Sequence, residues 1–562
     1  MLIYCGNSEV IRDKILKFYS KDNVICAEGS ILILKNNTGE IQRIENSKKS
    51  VIFAEGYILN INRDFLLSLL EPENKCLLRE LEGCFSVFIW DKSQNKAIII
   101  DDKLGLNPLY YTFTAQNEVL LSTALEDFVH IFGRALSIDL NALDQYAAFN
   151  YVLGERTFIK NILRCEPGTV ILWDNRNVIK YNYWNATEFI LGERISEGKF
   201  LKEFPKTMLR VISDWIHGMK RVGVLLSGGY DSRAILSCLW KLGVKGYAYT
   251  WDNPAIEETN IAQHLAKATG FKLRFLPFYP EEENIENLIM EVEKLTDFSF
   301  PLFHIGRYNA IKQISGEVDI IFSGQGELIR FTPVPNDYIS RTTLRYIYGS
   351  DDNIVEHFFK NENAGEIFKD FSYNHLKPVE QLTCFLLYYA YRHDYGMLRY
   401  GESKIIPVAM PFFDGRVIEL LLRSPFSIAR LNSWKRNFFF ILKNRKIYYN
   451  FVKQMAPHLL AIPLDRGYLQ KFDSSYLNII LTGVGSLKNA LSSKQKEKKI
   501  PPWWGFVYNL LSQNETLDRE FYDKQKIKKS LRKFPSWSPE ESYELEKVAR
   551  FELLYRHFFR SN

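Results

Sequence analysis

Apolar and polar positions follow two different rhythms along this chain. As far as about residue 184, short apolar runs such as SVFIW (86–90), AIIID (97–101) and TVILW (169–173) are separated by polar turns rich in Asn, Asp and Gly, which predicts a strand-rich domain. Helical periods dominate from there on. The segment SEGKFLKEFPKTMLRVISDWIHGMK (196–220) leads into the continuous apolar run VGVLL (222–226), which predicts a fully buried strand. Ile235, Leu239 and Leu242 then mark one face of a helix that ends near Gly243. YAYTW (247–251) reads as a strand, ETNIAQHLAKATG (258–270) as a helix ended by Gly270, and FKLRFLPF (271–278) as a further strand. Strands alternating with helices predict a parallel sheet covered on both faces, with ligands bound outside the carboxyl ends of its strands. Residues 375–460 read as almost wholly helical.

Between the run 222–226 and the helix after it lie Ser227, Gly228, Gly229, Asp231 and Ser232. A helix N-terminus has N–H groups without partners inside the helix and a positive dipole end, and two glycines let an anion approach the main chain closely. This is the chemistry of a phosphate cradle. The spacing S-G-G-x-D-S differs from G-x-x-x-x-G-K-[ST], and no lysine follows to reach a terminal phosphate. Asp231 would be repelled by phosphates unless a cation lay between them, so Mg²⁺ bridging is its expected role.

At 562 residues the chain exceeds one ordinary core, and about two to four domains are expected. A composition of 46% hydrophobic and 25% charged residues is that of a soluble globular protein, and with no long apolar run and no signal-peptide pattern a cytoplasmic enzyme is expected. The net charge of +6 is spread along the chain and gives little support for nucleic-acid binding, and neither a nucleic-acid nor a membrane partner is expected; KQKEKK (494–499) reads as a solvated loop. Cys5, Cys26, Cys76, Cys84, Cys165, Cys238 and Cys384 form no C-x-x-C pair and read as reduced core residues. No Cys/His cluster suggests structural zinc.

The S-G-G-x-D-S loop resembles the signature of ATP pyrophosphatases, which cut ATP between the α and β phosphates. Across nearly its whole length the chain is similar to the glutamine-dependent asparagine synthetase family. The resemblance is carried by LRELEGCFSVFIWD, DDKLGLNPLYY, LSTALEDF and EPGTVILWDNRNVIKYNYW, then by the ATP loop, IIFSGQGE, PVAMPFFDGRVIELLLRSP and IPLDRG. It implies an α/β protein with an Ntn-hydrolase-like β-rich sandwich over residues 1–185. Residues 195–562 would then form an ATP pyrophosphatase (PP-loop) domain with a parallel sheet and a helical extension. It implies ATP and Mg²⁺ as cofactors, with Leu226, Ser227, Gly228, Gly229, Asp231, Ser232, Ser323, Gly324, Gln325 and Gly326 at the nucleotide and Asp231 and Glu327 at the metal. Arg466 in IPLDRG aligns with the family lysine that steadies pyrophosphate, Lys435 with a basic residue near the active-site helices, and Glu327 stands near the family's aspartate; these three are the expected catalytic residues.

The departures from the family pattern carry as much information. The family's glutaminase uses a cysteine at position 2 whose α-amine assists the thiol, whereas residue 2 here is Leu and Cys5 is expected to be buried and inert. The family's NGEIYN segment appears as AEGYILN (54–60), and the stretch before Leu78 is too short for the acidic substrate loop. Loss of glutamine hydrolysis is the expectation. Gln325 replaces a family glutamate and cannot take a proton, which leaves Tyr395, Asp394, Glu402 and Tyr338 as unranked acceptors. Relatives with the same loss close β-lactam rings or cyclise lasso peptides, so the expected function is amide-bond formation, with peptide or natural-product cyclisation ahead of ammonia-dependent amidation of a small molecule or sugar acid. The partners implied are a small-molecule or peptide carboxylate and, for a peptide, a precursor and its processing protease. An RNA-modifying enzyme is disfavoured by the missing cysteine pair and basic surface. A non-catalytic binding protein with a decayed synthetase fold is the remaining alternative.

Overall fold

The computed structural model describes the chain except residues 20, 36–40, 60, 115, 175–176, 252–256, 278, 281–283, 327–370, 372, 374, 431–437, 465–468, 471–499 and 560–562. Two six-stranded antiparallel sheets build the N-terminal part. One has the order Leu163–Arg164, Tyr110–Phe113, Val119–Ser122, Leu2–Cys5, Ile31–Leu34, Val24–Glu28. The other has the order Asn177–Asn182, Thr169–Asp174, Lys96–Asp101, Glu82–Asp91, Ser50–Leu59, Ile41–Asn46. Side chains alternate between faces along a strand, so Ile3, Cys5, Val51, Phe53, Phe88 and Trp90 meet in a core between the sheets. Their neighbours Leu2 and Tyr4 join one outer core, and Ile52, Ala54, Val87 and Ile89 join another. The central strands are buried on both faces, which is why they read as unbroken apolar runs.

The C-terminal part is built on a five-stranded sheet in the order Lys272–Leu276, Gly246–Trp251, Val222–Leu225, Ile320–Phe322, Val408–Ala409, with every neighbouring pair parallel. The helices Glu197–Ile216, Tyr230–Lys241 and Glu257–Thr269 fall where the periodicity places them, and Gly243 and Gly270 adopt the positive φ expected just past a helix end. The described residues between 375 and 460 are largely helical, with π-helical turns at Leu386–Ala390 and Arg392–Gly396. The edge strand Val408–Ala409 escapes a periodicity reading because two residues contain no alternation. Six cysteines are buried as expected; Cys76 is exposed. Among the described residues no helix is long and apolar enough to cross a membrane.

Buried polar bonds pin the two parts together. Tyr151 donates to Asp394 at 2.6 Å, Lys404 to Glu55 at 2.9 Å and Trp184 Nε1 to Glu419 at 2.9 Å. Arg392 donates to the carbonyls of Gly105 and Cys165, and Gly105 has φ +60 with its missing Cβ position only 2.8 Å from Arg392 Nε. A side chain there would push the two parts from each other.

Burial raises several carboxyls, among them Glu293 to about 8, Glu546 to about 7, Asp297 to about 7 and Asp394 to about 6. A carboxyl raised in the folded state holds its proton more tightly folded than unfolded. Its stabilising contribution is full below the unfolded value and is lost as pH climbs through the folded one. Melting temperature is therefore expected to fall as pH rises from about 5 to about 8. Glu293→Gln should flatten that slope in a thermal-shift series, and a rising curve over this range would refute the assignment.

Candidate active site

The loop after strand Val222–Leu225 closes on itself through its serines. Ser232 Oγ accepts from Ser227 N at 3.1 Å, lies 3.0 Å from Ser227 Oγ and donates to Ser227 O at 3.2 Å, while Gly229 N donates to Ser227 Oγ at 3.2 Å. Leu226 N donates to Tyr249 O at 2.7 Å, which fixes the loop's entry on the neighbouring strand. Gly229 is the cap residue of helix Tyr230–Lys241 and offers no side chain to compete with an anion. Neither Gly228 nor Gly229 has a positive φ.

The second loop follows strand Ile320–Phe322, directly beside the first. Ser323 N donates to Ala409 O at 2.9 Å. A Cβ on Gly324 would lie 2.8 Å from Ser232 N, and one on Gly326, at φ +154, 2.1 Å from Phe412 Cβ. Glycine is thus a packing requirement at both positions, and the second loop touches the first turn of the first loop's helix.

The two loops border a cavity of about 220 Å³ at the carboxyl ends of the parallel strands. Leu226, Ser227, Asp231, Ser232, Ser323, Gly324, Gln325 and Gly326 line it, joined by Tyr249, Thr250, Trp251 and Leu276 from the next two strands. Among its described lining residues Asp231 is the carboxylate and Arg307 the guanidinium. Asp231 is 5% exposed and accepts a hydrogen bond from Tyr448, whose helix, Phe438–Met455, packs on Tyr230–Lys241. Arg307 is held by Glu402 through two bonds, Nε to Oε1 at 2.6 Å and an Nη to Oε2 at 2.7 Å. Burial pushes Glu402 upward against the opposing pull of Arg307. No group of three or more His, Cys, Asp or Glu side chains suited to a metal ion occurs among the described residues.

Comparison with known proteins gives this geometry a context. Residues 39–184 match the model of a glutamine amidotransferase domain. Asparagine synthetase [glutamine-hydrolyzing] 1 of Bacillus subtilis is 24% identical over 287 residues, covering 49% of this chain and 43% of that protein. Asparagine synthetase B of Escherichia coli is 20% identical over 442 residues, 72% of this chain and 68% of its own. Over these stretches the chain is similar to asparagine synthetases. The similarity spans under half the length of the first relative, and of the putative asparagine synthetase 2 of Methanocaldococcus jannaschii, 22% identical over 257 residues, it covers 49%. A solved glutamine phosphoribosylpyrophosphate amidotransferase from B. subtilis matches 60% of this chain and 74% of its own at 10% identity, with a TM-score of 0.17.

The ten expected nucleotide-binding residues fall on the two loops, and eight of them line the cavity; Gly228 and Gly229 lie in the turn between. The expected catalytic residues Glu327, Lys435 and Arg466, the acceptor candidate Tyr338 and the KQKEKK run lie outside the described residues. Of the other acceptor candidates, Tyr395 lines the cavity, Glu402 is occupied by Arg307, and Asp394 bonds Tyr151 away from the cavity. In the N-terminal sheets Cys5 is fully buried and burial pushes its thiol far up. Residues 54–59 continue strand Ser50–Leu59, where Glu55 binds the Met1 amine at 2.7 Å and Lys404. Burial pushes Glu55 up, and the two cations outweigh it and hold its carboxyl well below the usual range.

Sequence reading missed Arg307, Tyr448, Trp251 and Leu276. The last two close the runs YAYTW and FKLRFL, so the rule that ligands sit at the carboxyl ends of parallel strands points to them. Arg307 and Tyr448 arrive from distant helices and have no local signal.

Proposed function

We propose that this chain is an ATP-dependent, AMP-forming carbon–nitrogen ligase that adenylates a substrate carboxylate, releases pyrophosphate and couples the acyl group to an amine without hydrolysing glutamine. The reading is carried by the meeting of two Ser/Gly loops at the carboxyl ends of adjacent parallel strands, around a cavity whose described carboxylate is Asp231.

The nucleotide's phosphates fit beside residues 227–232 and Gly324, and its base fits the apolar side formed by Trp251 and Leu276. Asp231, with Glu327 as a second ligand, would hold Mg²⁺, which when bound supplies the positive charge that offsets the charge growing on pyrophosphate. The hydroxyls of Ser227 and Ser232 are rotors. In swinging from each other to phosphate oxygens they free the N–H groups of Ser227 and Gly229 to follow. A carboxylate oxygen attacks the α-phosphorus and the bond to the β-phosphate breaks. An amine then attacks the acyl carbon, loses a proton and expels AMP, with Tyr395, which lines the cavity, as the candidate acceptor of that proton. Exclusion of water protects the acyl-adenylate between the steps.

Glutamine independence is supported by the buried Cys5 and by a Glu55 carboxylate in the strand position of the family's glutamine-site segment. The amine then comes from solution or from the substrate itself, and peptide or natural-product cyclisation in the cytoplasm is the favoured role. The test is to incubate the full chain with Mg·ATP and either aspartate plus ammonium or peptides bearing a free N-terminus and an Asp or Glu side chain, and to separate the nucleotides. AMP and pyrophosphate in equal amounts, with amide formed or one water lost, are expected. ADP and phosphate, or glutamate released from added glutamine, would overturn the reading.

A further inference from the structure

A second pocket, of about 200 Å³, lies where the two parts of the chain meet. Glu166 and Asn182 of the N-terminal part line it, with Tyr388, Tyr389 and Arg392 of the C-terminal part across from them. It shares no described lining residue with the cavity between the two loops. Its size is below the roughly 300–1,000 Å³ of sites for drug-sized ligands, which restricts an occupant to a small molecule.

Two opposite charges border this pocket without meeting. Arg392, 1% exposed, donates through Nε to Gly105 O at 3.3 Å and through one Nη to Cys165 O. Its other Nη has no partner among the described residues, and the pocket is the space that the side chain borders. Because Cys165 immediately precedes Glu166, the bond to Cys165 O sets the guanidinium beside Glu166. The main chain of Glu166 is fixed, its carbonyl accepting from Thr169 Oγ1 at 2.6 Å, yet no described group donates to its carboxylate and no ion pair joins it to Arg392. Burial and Glu155 push this carboxyl upward, and Arg392 and Lys180 pull it back. Tyr389 stands three residues before Arg392. Its hydroxyl accepts from Gly154 N at 3.2 Å, which leaves its own proton for an acceptor in the pocket.

A guanidinium edge and a carboxylate that are withdrawn from bulk water and left unpaired both cost free energy. A ligand carrying the two complementary charges on neighbouring atoms offsets both costs at once. An anion alone would answer Arg392 and be repelled by Glu166, and a simple amine would do the reverse. In a free α-amino acid the ammonium and the carboxylate sit on one carbon, and both form charge-assisted hydrogen bonds.

We propose that this pocket binds a free α-amino acid, with its carboxylate on Arg392 and Tyr389 and its ammonium on Glu166. Glu166 belongs to one part of the chain and Arg392 to the other, so the ligand bridges them and its binding opposes their separation.

The test is equilibrium dialysis of the full chain, without nucleotide, against each of the radiolabelled proteinogenic amino acids in turn, with melting temperature followed at the same concentrations. One-to-one binding of at least one of them is expected, together with a rise in melting temperature. Glu166→Gln keeps the shape and removes the charge, and should weaken that binding about tenfold or more, the order lost with one charge-assisted hydrogen bond; Glu166→Ala should weaken it further. Among the described residues the Glu166 carboxylate has no bond to lose, so both variants are expected to fold as the wild type does. The amide and the N-acetyl derivative of the amino acid that binds should each lose about tenfold or more. If no amino acid binds at millimolar concentration, the pocket holds water alone and the proposal fails. It fails equally if both Glu166 variants bind as the wild type does, which would place the ligand elsewhere, or if the two derivatives bind as tightly as the parent. With no nucleotide present, none of these outcomes depends on the ligase reading.

Discussion

Asp231→Ala is expected to lower pyrophosphate release by about 10³-fold while the protein stays folded. The side chain is 5% exposed at the border of the cavity, and its removal from the first turn of helix Tyr230–Lys241 leaves the apolar face of that helix, Ile235 and Leu239, untouched. The structural loss includes the bond from Tyr448, a cost of about 1 kcal/mol. Asp231→Asn separates the two contributions, because the amide oxygen can still accept from Tyr448 while the charge that would hold Mg²⁺ is gone. Both variants should be equally inactive. Turnover within a few-fold of wild type in a folded Asp231→Asn enzyme would remove the carboxylate from the reaction.

Gly324→Ala is expected to have an effect of similar size for a different reason. The new Cβ would stand 2.8 Å from Ser232 N and 3.2 Å from both the carbonyl carbon and Cβ of Asp231, and main-chain atoms in a helix's first turn cannot give way as a side-chain tip can. The second loop must retreat, and the cavity loses the shared border on which the phosphates would lie. Nucleotide affinity should fall by about 10²-fold or more, on the order of the 3 kcal/mol that overpacking a close contact costs. Gly198→Ala is the control: it lies in helix Glu197–Ile216 with nothing within 4 Å of a Cβ, and it should leave activity unchanged. Equal nucleotide binding by the two alanine variants would show that the loops do not share a ligand.

The sequence made the chain's division of labour legible where local pattern and tertiary packing agree. VGVLL, YAYTW and FKLRFL are strands because a parallel sheet buried on both faces needs unbroken apolar runs, and Gly243 and Gly270 end helices because their φ is positive. The loop serines were visible as a motif. That Ser227 and Ser232 bond to each other, and that Gly324 is a steric necessity against Ser232, could not be seen, since both depend on two loops roughly a hundred residues apart meeting at neighbouring strand ends. The same limit explains Tyr448 and Arg307, whose roles come from helix packing. Asp394 and Tyr395 show the limit most sharply: adjacent in sequence, one bonds Tyr151 in the N-terminal part and the other borders the cavity.

The most direct measurement is calorimetric titration of the full chain with Mg²⁺ and the ATP analogue whose α,β-bridging oxygen is replaced by methylene, which the proposed chemistry cannot cleave. One-to-one binding with a Kd on the order of micromolar is expected for the wild type, weakened when Mg²⁺ is chelated and lost in Gly324→Ala. Absence of binding by the wild type, or binding that Gly324→Ala and chelation leave unchanged, would contradict a nucleotide site between these two loops.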